Sequence, residues 1–181
     1  MDLVIRRAMS SDAAAVSAVL RESAAWLEQR GIPLWQQSEL LPEVLAPDIE
    51  QGFYVLALLH GTPVGAFKFQ PEDPVFWPDA TPGEAAYVHR VAVRRAHAGG
   101  QLSLALLNWA VQQTRVEHRQ FLRLDCDLAR PRLRAVYERF GFVHHSDRQI
   151  GPYHVARYQL SVTHAVQPAL AAEEPASRGP G

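Results

Sequence analysis

The chain reads as an α/β protein of the α+β kind, a sheet of short strands flanked by helices, and three observations predict it. Strand-like and helix-like hydrophobic periods follow one another in the order strand, helix, helix, three strands, helix, strand, helix, two strands. The stretch 86–115, AYVHRVAVRRAHAGGQLSLALLNWAVQQTR, changes period partway along. Residues 87–93 read as a buried strand; from Gln101 a helix follows, with Leu102, Leu106 and Trp109 at helical spacing and Leu107 and Ala110 widening the face. Residues 53–69 carry the third signal, two apolar runs about a His60-Gly61-Thr62 turn, which is a hairpin pattern.

Residues 3–7 (LVIRR) predict the first strand. Ser10, Ser11 and Asp12 supply hydroxyls and a carboxylate to start a helix whose Val16, Val19, Leu20 and Leu27 share one face, and Gly31 stops it. Trp26 and Trp35 flank that stop, and such a pair reads either as core edge or as the wall of a substrate cleft. Residues 38–49 predict a poorer helix, interrupted by Pro42 and Pro47. In the hairpin, Gly65 marks a bulge or a close backbone approach. The proline-rich stretch 71–83 predicts a structured loop, whose Phe76 and Trp77 read equally as a plug at the core edge or as substrate contacts.

After the central strand comes the loop 96–100 (AHAGG). A strand that passes through a glycine loop into a helix leaves N–H groups above the helix start that suit an anion, and Arg94 and Arg95 add positive charge; a plain turn is the other reading. Residues 120–126 predict the next strand, with Leu122 and Leu124 inward and Cys126 a buried thiol rather than a nucleophile. Pro131 opens a helix carrying Leu133, Val136, Tyr137 and Phe140 on one stripe, and Gly141 ends it. Residues 142–145 and 153–162 predict two last strands around Gly151-Pro152. A single domain over residues 1–163 is expected, followed by a polar, mobile tail at 164–181.

Composition narrows the function classes. With 181 residues, 48% of them hydrophobic, the chain can bury one good core. Its net charge of −1 argues against bulk attraction to nucleic acid or to an anionic membrane surface, so neither is expected as a partner. One cysteine excludes an internal disulfide and fits a reducing compartment. With no secretion signal at the N-terminus and no run of eighteen apolar residues, a cytoplasmic protein is expected. The histidines lack neighbouring Cys or paired carboxylates at ligand spacing, so no metal is expected.

Residues 88–107, VHRVAVRRAHAGGQLSLALL, and 133–142, LRAVYERFGF, together with the order of elements, resemble the GCN5-related N-acetyltransferase (GNAT) family over roughly residues 3–162. The segment between Trp26 and Trp35, with Gly31 and Ile32, is similar to the helix end of many bacterial members. The resemblance implies a central mixed, mostly antiparallel sheet, splayed at its middle, with acetyl-CoA entering the splay. It implies an acyltransferase that moves an acetyl group directly to a primary amine of a small molecule or peptide. Main-chain groups of Val91, Ala92 and Val93 would hold the pantetheine arm, and the loop of Ala98, Gly99, Gly100, Gln101, Leu102 and Ser103 the pyrophosphate. Three positions depart from the family pattern there: Ala98 in place of a basic or amide residue, Gln101 in place of a glycine, and Ser103 as the final small residue. Arg130 stands where many members carry Asn, and is itself a candidate to reach the cofactor.

By the same resemblance Tyr137 aligns with the tyrosine that protonates the leaving sulfur, although the helical stripe alone reads it as core. For the base, a period of two puts Tyr87, His89, Val91 and Val93 on one face. His89 is preferred to Glu84 as the group that deprotonates the amine. Arg90, on the other face, is expected to pair with Asp125. Trp26, Trp35, Phe76 and Trp77 are candidate acceptor contacts. Two other readings stand beside this one: an inactive acyl-CoA-binding or regulatory module, motivated by the altered loop, and a Trp-rich protein-interaction face. A homodimer through the C-terminal strands and tail is open.

Overall fold

The computed structural model describes residues 2–99 and 101–163; Gly100 and the expected tail at 164–181 lie outside the described residues. Among the described residues seven strands form one open sheet: β1 (Leu3–Arg7), β2 (Tyr54–Leu59), β3 (Thr62–Gln70), β4 (Ala85–Val93), β5 (Phe121–Asp127), β6 (Val143–Ile150) and β7 (Tyr153–Ser161). Their order is β1-β2-β3-β4-β5-β7-β6, and every neighbouring pair is antiparallel except β4 and β5. Four α-helices among the described residues cover the faces: α1 (Ala13–Glu28), α2 (Pro42–Glu50), α3 (Leu102–Val116) and α4 (Pro131–Phe140). The expected mixed, mostly antiparallel sheet is therefore the sheet observed.

Helical spacing decides what each helix buries. On one face Val16, Val19, Leu20 and Ala24 of α1, with Leu45 and Ile49 of α2, pack on Tyr54, Leu56, Ala66 and Ala92. On the other, Leu106, Leu107, Ala110 and Val111 of α3 meet Val55, Ala57, Phe67 and Phe69, and Tyr137 of α4 joins them. Each fully buried large side chain stabilises by about 1.5–3 kcal/mol. The expected helix over 38–49 is broken just before Pro42, where a 3-10 turn (Gln37–Leu40) gives way to α2; Pro42 opens α2 at its first turn, where the missing N–H is harmless, and Pro47 lies inside it without ending it. Asp12 reaches back to the Met9 N–H (2.7 Å) and to Arg6 (2.6 Å) rather than forward into α1.

Gly65 meets both expectations. A Cβ there would lie 3.2 Å from Leu106 Cδ1 and 3.3 Å from the Ala92 carbonyl, and the β2–β3 register shifts just beside it. The hairpin β6–β7 turns at Gly151-Pro152 as expected, but β6 runs on to Ile150 through Ser146, Asp147, Arg148 and Gln149. It is an edge strand with most positions exposed, so no apolar alternation marks its length in the sequence.

Two irregularities in β4 make the site. First, β4 pairs with β5 only from Ala85↔Phe121 to Val88↔Leu124, so His89 to Val93 have no strand on that side among the described residues. Second, Arg90 has φ +54 and the β3–β4 register shifts between Ala66 and Lys68, leaving two β4 residues opposite one of β3. The bulge reverses the alternation beyond it. Val91 and Val93 pack with Ala86 and Val88 against α3, not with Tyr87 and His89, which corrects the expected face.

Candidate active site

Where β4 and β5 part, a cleft of about 1330 Å³ opens between them. Val91, Ala92 and Val93 line one wall, Cys126 and Tyr137 the other, and Ala98, Gly99, Ser103 and Arg130 its far end. Gln101 and Leu102 are not among its lining residues.

Gln101, the main departure from the expected loop pattern, stands near a glycine that carries the turn. Gly99 carries the left-handed turn, φ +79, and nothing lies within 4 Å of where its Cβ would be. Gln101 takes φ −81 with an exposed side chain, so it neither needs glycine's freedom nor fills the cleft. The first-turn N–H groups of α3 have no i−4 acceptors within the helix. Glu22 of α1 braces the loop by accepting from the Arg94 guanidinium (2.6 Å) and the Arg95 N–H (2.8 Å). Trp26 lines the cleft with the guanidinium carbons of Arg95 and Arg30 at 3.8 and 4.0 Å from its ring centroid.

At the crotch of the fork sits a buried charged triad. His89 Nε2 lies 3.2 Å from Asp73 Oδ2, and its Nδ1 lies 3.3 Å from Asp125 Oδ1. These contacts are ion pairs without hydrogen-bond alignment: Asp73 Oδ2, His89 Nε2 and Asp125 Oδ1 are all buried with no hydrogen-bond partner. Burial alone would lower the pKa of His89, but the Asp125 and Asp73 carboxylates outweigh it and push it up to about 9. Asp73 is placed by its own turn, its Oδ1 accepting from the N–H groups of Val75 (3.2 Å) and Phe76 (3.0 Å). Burial acts to raise its carboxyl, yet His89 and those two N–H groups hold it below the usual carboxylate value. At neutral pH the triad is thus an imidazolium between two carboxylates.

Tyr137 is 8% exposed, and burial, with Cys126 and Asp125 adding to it, pushes its hydroxyl above the ordinary tyrosine value. The phenol keeps its proton at any physiological pH. Burial likewise pushes the Cys126 thiol up to about 12, which fits the inert thiol expected.

Other expected residues go elsewhere. Arg90 does not pair with Asp125, which His89 occupies; bulged out of alternation, it donates to the Tyr54 hydroxyl (3.3 Å) and lies 3.6 Å from Glu39. Glu84 accepts from Arg123 at 3.0 Å and does not line the cleft. Trp77 is 3% exposed, packed on Ala85 and Tyr87 with the Arg157 and Arg123 guanidinium carbons 4.6 and 4.8 Å from its ring centroid; it too is outside the cleft lining. Trp26, Trp35 and Phe76 do line it. The expectation of no metal meets one qualification, since Asp73, His89 and Asp125 bring three ligand atoms within 4.8 Å of one another. Asp73, Asp125 and Tyr153 lie in the site without having been singled out for it. Only the Asp73-Pro74 turn onset is locally visible; the rest depends on strand register.

Among the described residues no helix is long and apolar enough to cross a membrane. A family model for the acetyltransferase (GNAT) family matches residues 18–142. The uncharacterized N-acetyltransferase YesJ of Bacillus subtilis (strain 168) is 27% identical over 141 residues, covering 75% of this chain and 78% of that protein. A GNAT-family acetyltransferase of Listeria monocytogenes 4b F2365 superposes with a TM-score of 0.71 at 25% identity, covering 87% of this chain and 95% of that one. The PaiA N-acetyltransferase of Thermoplasma acidophilum, solved in complex with coenzyme A, gives 0.70 at 16% identity over 88% and 100% of the two chains.

Proposed function

The chain belongs to the GNAT family of acetyltransferases, and on that premise we propose that it carries an acetyl group from acetyl-CoA directly to a primary amine of a small molecule or peptide, within one domain over residues 1–163. The observation that carries this reading is the fork itself. Past Val88 the main chain of β4 faces a cleft instead of a strand, and the cleft runs from the buried triad to the loop before α3.

The residues present fit the group. Val91 and Val93, which alternate with Ala92 and Arg94 on the β3 side, turn main-chain donors and acceptors toward an extended arm, with Ala92 between them, and a donor of that kind at a developing oxyanion is worth about 2.7–4 kcal/mol. Gly99, Ser103 and the start of α3 would hold the diphosphate, assisted by Arg95 and Arg130 at the same cleft. Acetyl-CoA, when bound, supplies the activated thioester. Tyr137 keeps its hydroxyl proton and gives it to the departing sulfur. His89, once neutral, takes the surplus proton of the amine by way of the Asp73 or Asp125 carboxylate that stands against each ring nitrogen; it is preferred to Glu84, which Arg123 engages. Gln101 is exposed and the space at Gly99 is open, so neither side-chain position fills the cleft, which favours turnover over a binding module that has lost it.

Calorimetry with acetyl-CoA and thiol release with a panel of primary amines test the reading together. Binding at micromolar to millimolar cofactor and amine-dependent thiol release are expected. No heat and no thermal shift at millimolar acetyl-CoA would remove the acyl-transfer reading; binding without release by any amine would leave only the module.

A further inference from the structure

From the buried triad and the apolar rim above it, we infer that the acceptor is a monocationic primary amine borne on an apolar, ring-bearing body, with its ammonium seated on Asp73 and Asp125; this rests on the acetyltransferase reading and narrows its substrate.

The charge count comes first. Two carboxylates and one imidazolium leave a net charge of about −1 in a water-poor place, which one ammonium balances. An ammonium also brings three N–H donors, and Asp73 Oδ2 and Asp125 Oδ1 are buried carboxylate oxygens lacking an aligned hydrogen bond. Asp73, 3% exposed in its side chain, and Asp125 both line the cleft, and each spends on the single His89 ring an oxygen that can still accept a further N–H.

The remaining charges argue against a polycation. The cleft lining holds five carboxylates, two of them in the triad, and lining cations face two of the other three. Of those carboxylates, Asp48 is taken by Lys68 at 2.8 Å and Glu39 faces Arg90 at 3.6 Å. A second ammonium arriving there would displace an internal partner.

Apolar surface supplies the rest of the recognition. The Phe76 ring centroid lies 6.1 Å from that of His89 and 6.4 Å, edge-on, from that of Tyr153. Tyr153 is 50% exposed and Val75 56%, both lining the cleft, which leaves large hydrophobic side chains uncovered at its mouth. Exposed apolar groups gathered at a cleft mouth mark a contact for something apolar.

The experiment compares 2-phenylethylamine, ethylamine and spermidine as acceptors for the full chain, reading thiol release, with acetyl-CoA binding measured separately by calorimetry. We expect kcat/KM for 2-phenylethylamine to exceed those for ethylamine and spermidine by about tenfold or more. Asp73→Asn keeps the turn that holds residues 75 and 76 and should lower kcat/KM for 2-phenylethylamine by about thirtyfold or more. Phe76→Ser should raise its KM by about tenfold with kcat moved far less. If acetyl-CoA binds and spermidine or ethylamine matches 2-phenylethylamine, or if Asp73→Asn leaves kcat/KM within about twofold, this assignment fails and the acetyltransferase reading stands. If acetyl-CoA does not bind, both fall.

Discussion

His89 is where a single side chain controls the chemistry. Its pKa, raised to about 9 against the burial that would lower it, makes it an imidazolium at pH 7 and a base only as pH climbs. The sign of the pH dependence follows: kcat/KM for a small amine rises with pH and inflects near 9 as the ring loses its proton. Asp125→Asn removes one of the two carboxylates that hold the proton, so the inflection moves acidward, by about a unit or more; an unmoved profile would show that another group sets it. Tyr137 makes the opposite demand, since its buried hydroxyl must stay protonated to act as a donor. Tyr137→Phe removes that proton with little change of shape, and kcat falls by about a hundredfold or more, the usual worth of a positioned acid, with acetyl-CoA affinity read by calorimetry as the control.

Among the elements, β4 matters most because its two irregularities serve different ends. Parting from β5 after Val88 leaves the β5-side main chain of Val91 and Val93 facing the cleft, and the bulge at Arg90 reverses the side-chain alternation so that Val91 and Val93 still pack against α3. Without the bulge, His89 and Val91 would compete for one face. The next strand must come close to this distorted segment, and Gly65 in β3 permits it. Gly65→Ala would press a methyl to 3.2 Å of Leu106 and 3.3 Å of the Ala92 carbonyl. Overpacking of that sort costs about 1–3 kcal/mol, to be read as a lower urea midpoint, and it pushes on the strand that lines the cleft. A fully stable variant would mean that α3 yields more easily than its packing suggests.

For the whole molecule, the cleft couples folding to cofactor. Its walls come from β4, β5, α4 and the loop before α3, so a ligand lying along it bridges the two strands beyond their last paired residues, Val88 and Leu124. A ligand that binds the folded form alone stabilises by about 2.7 kcal/mol at a hundred times its Kd. Acetyl-CoA at that excess is therefore expected to raise Tm by several degrees, about 2–4 °C per kcal/mol for a chain of this size, whereas acetate at the same concentration does not. An equal shift with both would point to a general salt effect and not to the cleft.

The local features of the chain were legible in its sequence. Helical stripes such as Leu102, Leu106 and Leu107, the stop at Gly141, the hairpin turn at His60-Gly61 and the glycine loop before α3 all depend on residues within a few positions of one another, and spacing alone reveals them. Together with the VAV…GG and YERFGF segments they were enough for the fold and the family. Other features were decided only when distant segments met. The partner of Asp125 is His89 and not Arg90 because a one-residue bulge turned the strand. Asp73, sixteen positions before His89, reaches it by way of a loop whose course no periodicity records. Glu84 and Trp77 were drawn away from the cleft by Arg123 and by core burial. Period and turn chemistry act along the chain, whereas register, charge pairing and the width of a fork are set by contacts across it, and the latter determine which carboxylates face the acceptor.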